Sequence, residues 1–278
     1  MLFDLNPSLY IEIGRILFNL TDCVLVNRIE APELEEIRGM DLDVIVYEFS
    51  VNRIISSLEP IFTRDICIYV FRRDRRKRIE KKLRRIMHLE RNPNLDNRLK
   101  INEIEGEMLG YPECCISNFV ELKRKCAMGK SMPPESKTIV ECIESGVFSN
   151  IIDFFPDPSF YDDICSLFTS NFYPCSLKCK RAYGIGRKYM EMLEEPYKTA
   201  YKCKIVSNVI NLLVSALETY RSIKKPKTEF GSIVFDFFNS LDSRRFERVL
   251  KIAETFKADP AGFENSYIRM ILRKRSTD

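Results

Sequence analysis

Apolar residues recur along this chain at two different periods, and the change between them divides it. Leu9, Ile13, Ile16, Leu17 and Leu20 return every three or four positions, which predicts a helix over 8–20. The short run Cys23–Val26 and the β-branched runs Val44–Phe49 and Ile66–Phe71 have the length and content of buried strands. Helical segments around Glu33–Arg38 and Val51–Leu58 are expected to connect them. The N-terminal portion therefore reads as a small α/β or α+β unit.

From Arg72 onward the helical period takes over. Ile79, Leu83, Ile86, Met87 and Leu89 give one apolar side to a helix that Asn92-Pro93-Asn94 ends. Leu99, Ile101, Ile104, Met108 and Leu109 predict a helix stopped by Gly110. Cys115, Ile116, Phe119, Val120 and Leu122 predict another over 112–126. Pro133-Pro134 marks a loop over 130–136. Short helices are expected over 137–148 and 159–170, on either side of the aromatic-proline loop Phe154–Pro158. A further helix runs to about Glu194. Val206, Val209, Ile210, Leu213, Leu217 and Tyr220 form a stripe wide enough for a buried helix. Phe230 to Leu241 is aromatic-rich and apolar, Phe246, Val249, Leu250, Ala253 and Phe256 form another amphipathic helix, and Asp259-Pro260 opens the last one. No repeat of solenoid period is present. The expected fold class is α+β, predominantly α-helical, with a small N-terminal α/β portion. It falls into 1–98 with the basic helix 72–88, a cysteine-bearing helical portion 99–195, and a helical cover 196–278.

The chain has 278 residues, enough to bury a sizeable core, with 45% hydrophobic and 30% charged residues. It has one histidine, His88, so a Ser–His–Asp or Cys–His mechanism would have to run through a side chain set in a basic run. Ile205 to Leu217 is the most membrane-like stretch. It is interrupted by Ser207, Asn208, Asn211 and Ser215 and is too short to span a bilayer, so no membrane partner is expected. Ten cysteines behind a start, Phe3-Asp4-Leu5-Asn6-Pro7, that is unlike a secretory signal point to a reducing cytoplasm.

Net charge is only +4, but it is unevenly spread. Ten of the fourteen residues from Arg72 to Arg85 are Arg or Lys, among them Arg75, Arg76, Lys77, Arg78, Lys81, Lys82, Arg84 and Arg85. Such a face can contact the phosphates of RNA or another polyanion. It can equally be a solvated helix surface paired with acidic neighbours. No glycine-rich loop or zinc-finger spacing accompanies it.

Two segments carry the candidate chemistry: Gly110-Tyr111-Pro112-Glu113-Cys114-Cys115 and Tyr173-Pro174-Cys175-Ser176-Leu177-Lys178-Cys179. Each places an aromatic residue and a proline ahead of cysteine and then enters a helical pattern. Proline suits the first position of a helix, so both read as helix starts whose free N–H groups favour an anionic sulfur. Cys115 shares a face with Phe119 and Leu122 and should look inward. Cys114 lines up with Ser117, Asn118 and Glu121 and should look toward a polar face or cleft. Cys175 and Cys179 are four apart, hence on one helix face, followed by Ala182, Tyr183, Gly186 and Met190. Four such thiolates can hold zinc or an iron–sulfur cluster. They can also form a redox-active or disulfide-forming set in which Cys114 is the nucleophile, or remain buried structural cysteines. A vicinal pair and a C-x3-C pair match no common zinc knuckle or ferredoxin run. Cys23, Cys67, Cys126, Cys142, Cys165 and Cys203 read as core. Asp153, Asp157, Asp162 and Asp163 surround the aromatic loop, and helix capping is their expected role.

The pattern of Gly110, Tyr111, Pro112, Cys114, Cys115 and Phe119, followed by Pro174, Cys175, Ser176 and Cys179, resembles an uncharacterised archaeal protein family, with bacterial chains sharing the cysteine segments. The resemblance covers about residues 100–190. It implies an archaeal, cytoplasmic origin and brings no established activity.

Overall fold

The computed structural model describes residues 6–26, 29–53, 61–158, 164–169 and 172–275. Twelve helices and one three-stranded antiparallel sheet occur among them, an α+β fold that is mainly helical. The chain divides into two compact units, residues 1–111 and 112–278.

In the first unit, α1 (Pro7–Leu17) starts at Asn6, whose side chain accepts from the Leu9 N–H at 3.1 Å. Strand β1 (Cys23–Val26), helix α2 (Ala31–Gly39), strands β2 (Leu42–Arg53) and β3 (Ile61–Arg72), and helices α3 (Arg76–Glu90) and α4 (Leu95–Met108) follow. The sheet order is β1-β3-β2, with Val24 opposite Val70 and Val44 opposite Val70 on the other side. Alternation along the strands sends two sets of side chains to two faces. Val24, Val26, Leu42 and Val70 pack with Leu9, Ile13 and Ile16 of α1 and Ile37 of α2. Cys23, Tyr47, Tyr69 and Phe71 pack with Ile79, Leu83 and Ile86 of α3 and with Ile104 and Met108 of α4. Around these residues the sheet carries helices on both faces, which explains why its strands read as apolar runs rather than strict alternation, although Val46 of β2 remains exposed. The helix expected over Val51–Leu58 is not there at its start. Val51–Arg53 belongs to β2 and pairs with Ile61–Thr63, because β-branched Val51 extends the ladder of the long antiparallel pair. Residues 54–58 lie outside the described residues.

Charged groups are also held inside this unit. Arg15, 2% exposed, donates to Glu12 Oε2 at 2.9 Å and to the Leu109 carbonyl at 3.0 Å, fastening α1 to the end of α4. Glu105 of α4 accepts from the Tyr69 hydroxyl at 3.0 Å.

The second unit contains α5 (Glu113–Ala127), α6 (Pro134–Glu144), α7 (Val147–Phe154), α8 (Lys180–Met192), α9 (Tyr197–Ser222), α10 (Glu229–Ser240), α11 (Ser243–Ala258) and α12 (Pro260–Arg275). Helix α9 is its axis. Val206, Val209, Ile210, Leu213 and Leu217 are buried, and so are Cys203, Lys204 and Ala216 from other sides of the same helix. Helices α6, α7, α8, α10, α11 and α12 pack around it. Its polar residues are paired inward: Lys204 Nζ meets Glu264 at 2.8 Å, and the Asn208 amide donates to the Leu167 carbonyl at 2.9 Å. The apolar stretch 205–217 is therefore a core helix, and no helix among the described residues is long and apolar enough to cross a membrane. Asp153 does not cap a helix. It sits in the last turn of α7 and receives two bonds of 3.0 Å from the Arg245 guanidinium, a fork that an exposed loop–helix junction offers when α11 packs beside it. Of the helix expected over 159–170, residues 164–169 are described and form a short turn followed by irregular chain. Asp162 and Asp163 lie outside the described residues.

Helix α8 docks through Ala182, Gly186, Tyr189 and Met190. A Cβ on Gly186 would run into the Cys165 carbonyl oxygen and lie 3.2 Å from the Cβ of Phe168. Backbone cannot yield there as a side chain can, so Gly186→Ala should destabilise the chain by about 3 kcal/mol in urea unfolding. A second expectation concerns pH. Burial pushes the Glu105 carboxyl up to about 7, against the opposing effect of the Tyr69 hydrogen bond. A carboxyl raised in the folded state favours folding fully below its ordinary range, and that contribution is lost as pH rises through about 7. The Tm of the parent should therefore fall between pH 5 and pH 8, and Glu105→Gln should reduce that fall.

Candidate metal centre

The four candidate cysteines all lie in the second unit, on three short pieces of backbone. Pro112 is the N-cap of α5, with φ −58° and ψ 136°, and its carbonyl accepts from the N–H groups of Cys115 and Ile116 at 2.9 and 3.0 Å. Cys114 and Cys115 thus occupy the first turn, as the proline-led pattern predicts. Cys115 is fully buried and Cys114 half-buried, in keeping with the inward and polar faces assigned to them.

The second segment differs from expectation. Helix α8 begins at Lys180, so Cys175 and Cys179 do not share a helix face. Residues 172–179 form a loop closed by a bond from the Cys179 N–H to the Ser176 carbonyl at 2.9 Å. The Ser176 hydroxyl oxygen also accepts from the Lys178 N–H at 3.2 Å, a local side-chain bond that competes with helix. Cys179 is the N-cap of α8, without a side-chain capping bond. Helix α6 holds the loop from behind. Lys137 Nζ donates to the Cys175 carbonyl at 2.7 Å, and Glu141 accepts the Leu177 N–H at 2.7 Å. The Cys175 N–H in turn points at Cys115 Sγ, 3.4 Å away.

This loop brings all four sulfurs together. Every pair of Sγ atoms among Cys114, Cys115, Cys175 and Cys179 lies within 4.8 Å. Cys114 is 4.0 Å from Cys115 and 3.8 Å from Cys179, and Cys115 is 3.7 Å from Cys179. A tetrahedron with metal–sulfur bonds of ~2.3 Å has an edge of ~3.8 Å. The set is compatible with one metal ion. A family model described as a protein of unknown function (DUF483) matches residues 41–207, more than half of the chain. The chain belongs to that family. No curated protein and no solved structure matches it. The DUF483 match spans both cysteine segments, the basic helix α3 and helix α8.

Protonation within the cluster is uneven. Burial raises the Cys115 thiol far above its ordinary range. Burial, aided by the bond to Cys179, raises Cys175 to about 11. Burial acts the same way on Cys179, but the nearby Ala182 N–H and the thiols of Cys175, Cys115 and Cys114 outweigh it and hold the group below its usual value. The rings of Phe119 and Tyr173, on the same two segments as the cysteines, lie nearly parallel with centroids 6.4 Å apart.

The remaining cysteines stand apart from this cluster. Cys23, Cys142, Cys165 and Cys203 are buried, while Cys67 and Cys126 are half-buried. Burial holds the Cys23 thiol up at about 12, and its sulfur is 3.2 Å from the Met108 carbonyl. Sequence reasoning passed over Lys137 and Glu141. Their spacing of four on a predicted helix was the available signal, but such pairs occur on most helix surfaces.

On α3 of the first unit, many basic residues have acidic partners: Arg76 with Asp43 and Glu80, Arg78 with Asp22, Lys82 with Glu107 and Arg84 with Glu80. Arg75 reaches Asp22 and Asp74 at longer range. Lys77, Lys81 and Arg85 are exposed, and no acidic partner lies within ion-pair distance among the described residues.

The clamp from α6 is open to test. Glu141→Ala leaves the Leu177 N–H without its carboxylate acceptor, and the metal-free chain should lose about 2 kcal/mol in urea unfolding. Glu141→Gln, whose amide oxygen still accepts, should lose less.

Proposed function

We propose that Cys114, Cys115, Cys175 and Cys179 bind one zinc ion, in a centre that ties the loop 172–179 to the start of α5. The spacing of the sulfurs carries this reading. Soft thiolates select zinc or iron over magnesium or calcium. An iron–sulfur cluster interposes further iron and sulfide between its cysteine ligands, which pushes some of them more than one tetrahedral edge apart. Sulfurs mutually within 4.8 Å fit a single ion better. Four protein thiolates also fill a tetrahedral shell and leave no position for water or substrate, the arrangement of structural rather than catalytic zinc. On this reading Cys114 is a ligand and not a free nucleophile. Four reduced thiols suit a cytoplasmic protein, and the resemblance of the cysteine segments suggests an archaeal one.

Anaerobic purification and metal analysis test the reading. About one zinc per chain and no visible absorption is the expected outcome. Broad absorption with iron and acid-labile sulfide would replace zinc by a cluster. Cys115→Ser and Cys175→Ser should each lose the ion, and the parent should gain about 4 kcal/mol of stability when free zinc stands a thousandfold above Kd. Retention of zinc in both variants would remove these residues from the ligand set. Because Cys115 and Cys175 keep their protons at neutral pH without metal, zinc must displace at least two. Apparent affinity should rise with pH, roughly a hundredfold per unit around neutrality, as read by competition with a chelator of known affinity.

A second reading, RNA or another polyanion bound along α3, is favoured by one observation. Lys77, Lys81 and Arg85 follow one another at successive turns, opposite the buried Ile79, Leu83 and Ile86. Three phosphate contacts to a single strand would give a slope of log affinity against log salt of roughly −2.

A further inference from the structure

Helix α8 presents to solvent a face that the metal reading does not use. Lys180, Arg181, Gly184, Arg187 and Lys188 recur at helical spacing on the side opposite Ala182, Gly186, Tyr189 and Met190, and Lys178 precedes them in the loop. All six are exposed. Arg187 is engaged by Glu191 at 3.0 Å and by the Tyr183 hydroxyl at 3.3 Å. Lys178, Lys180, Arg181 and Lys188 have no acidic partner among the described residues, unlike most cations of α3. Two turns of helix, about 12 Å, therefore carry unneutralised charge of one sign.

The glycine in the middle of this face is the second observation. Gly186 is required by packing, since a Cβ there meets the Cys165 carbonyl. A Cβ on Gly184 would meet nothing within 4 Å. Its φ is not in the left-handed region, and the helix continues on both sides. Glycine is a poor residue for an exposed helix interior, and nothing inside the protein calls for it here. What a missing side chain does provide is a shallow place where another molecule can reach the helix backbone between flanking cations.

We propose that this face of α8 binds the sugar-phosphate backbone of single-stranded RNA, with Lys178, Lys180, Arg181 and Lys188 on phosphates and the strand passing closest at Gly184. Tyr183, half-buried beside the stripe, gives a base an aromatic surface to stack on. An acidic peptide would use the cations but not the glycine or the ring. An anionic membrane would need apolar side chains among the cations, and the large apolar residue exposed on α8 is Met192, at the far end of the helix. The proposal requires α8 to be folded and does not depend on which metal the cysteines hold.

Fluorescence anisotropy of a labelled 15-mer of uridine, titrated with the metal-loaded full chain at several salt concentrations, tests it. Lys180→Glu, Arg181→Glu and Lys188→Glu combined should weaken binding at least tenfold and flatten the salt slope by roughly 2. The neutral pair Lys180→Gln and Lys188→Gln should show a smaller loss of the same kind, should the triple variant fail to fold. Gly184→Ala should raise Tm by about 2 °C, keep its metal and bind RNA several-fold more weakly. A control with Lys224→Glu, Lys225→Glu and Lys227→Glu, exposed cations outside both helices, should bind as the parent does. The proposal is overturned if the parent does not bind the oligonucleotide at low salt, or binds phosphatidylserine vesicles instead. It is overturned equally if binding survives the α8 variants, or is lost to the same extent in the 224–227 control.

Discussion

The second unit depends on the meeting of four sulfur atoms that come from turns sixty residues apart. Such a cluster is unfavourable without compensation, because buried thiols give weak hydrogen bonds and buried thiolates repel one another. The chain meets this by concentrating donors. The Cys175 N–H points at the sulfur of Cys115, and the sulfurs of Cys114 and Cys115 lie within 4.0 Å of each other and of Cys179. A divalent cation would replace several weak donors with strong bonds and would cancel the repulsion. Everything local follows from that demand: a proline-capped helix start, a loop in place of the first turn of α8, and two side chains of α6 engaged with the loop backbone.

The first unit is built on another constraint, an antiparallel sheet that receives helices on both faces at its described end. Val46 of β2 stays exposed, and the charged groups inside are held by partners. Arg15 is held by Glu12 and the Leu109 carbonyl, and Glu105 by Tyr69. The long basic helix packs on this sheet by Ile79, Leu83 and Ile86, and its charges divide between those that pair with acids of the same unit and those that do not.

Helix positions were legible where apolar residues recur on one face, as in α1, α3, α5 and α11. The convergence of Cys114 and Cys115 with Cys175 and Cys179 was legible as a possibility, since two similar proline-led segments suggest a shared purpose. Two things were not. Val51 reads as well in a short connecting helix as in a strand, and only pairing with Thr63 decides it. The loop over 175–179 is invisible to periodicity, because C-x3-C fits one helix face as well as it fits a loop. The helix is displaced by tertiary partners, Lys137 and Glu141, which no local pattern announces. Gly184 and Gly186 are identical letters two positions apart, and only the surroundings tell a packing requirement from an open site.

The grip of α6 on the cysteine loop has a consequence for the order of events during maturation. Backbone groups of Cys175 and Leu177 are satisfied by protein partners, so the loop can hold its shape before an ion arrives. If the cluster binds zinc as proposed, the metal-free protein would be a standing receptacle rather than an unravelled chain, and loading would exchange protons for metal instead of driving folding. A receptacle of this kind can take its ion late and give it up without collapse, and during any empty interval its half-exposed Cys114 is open to oxidants.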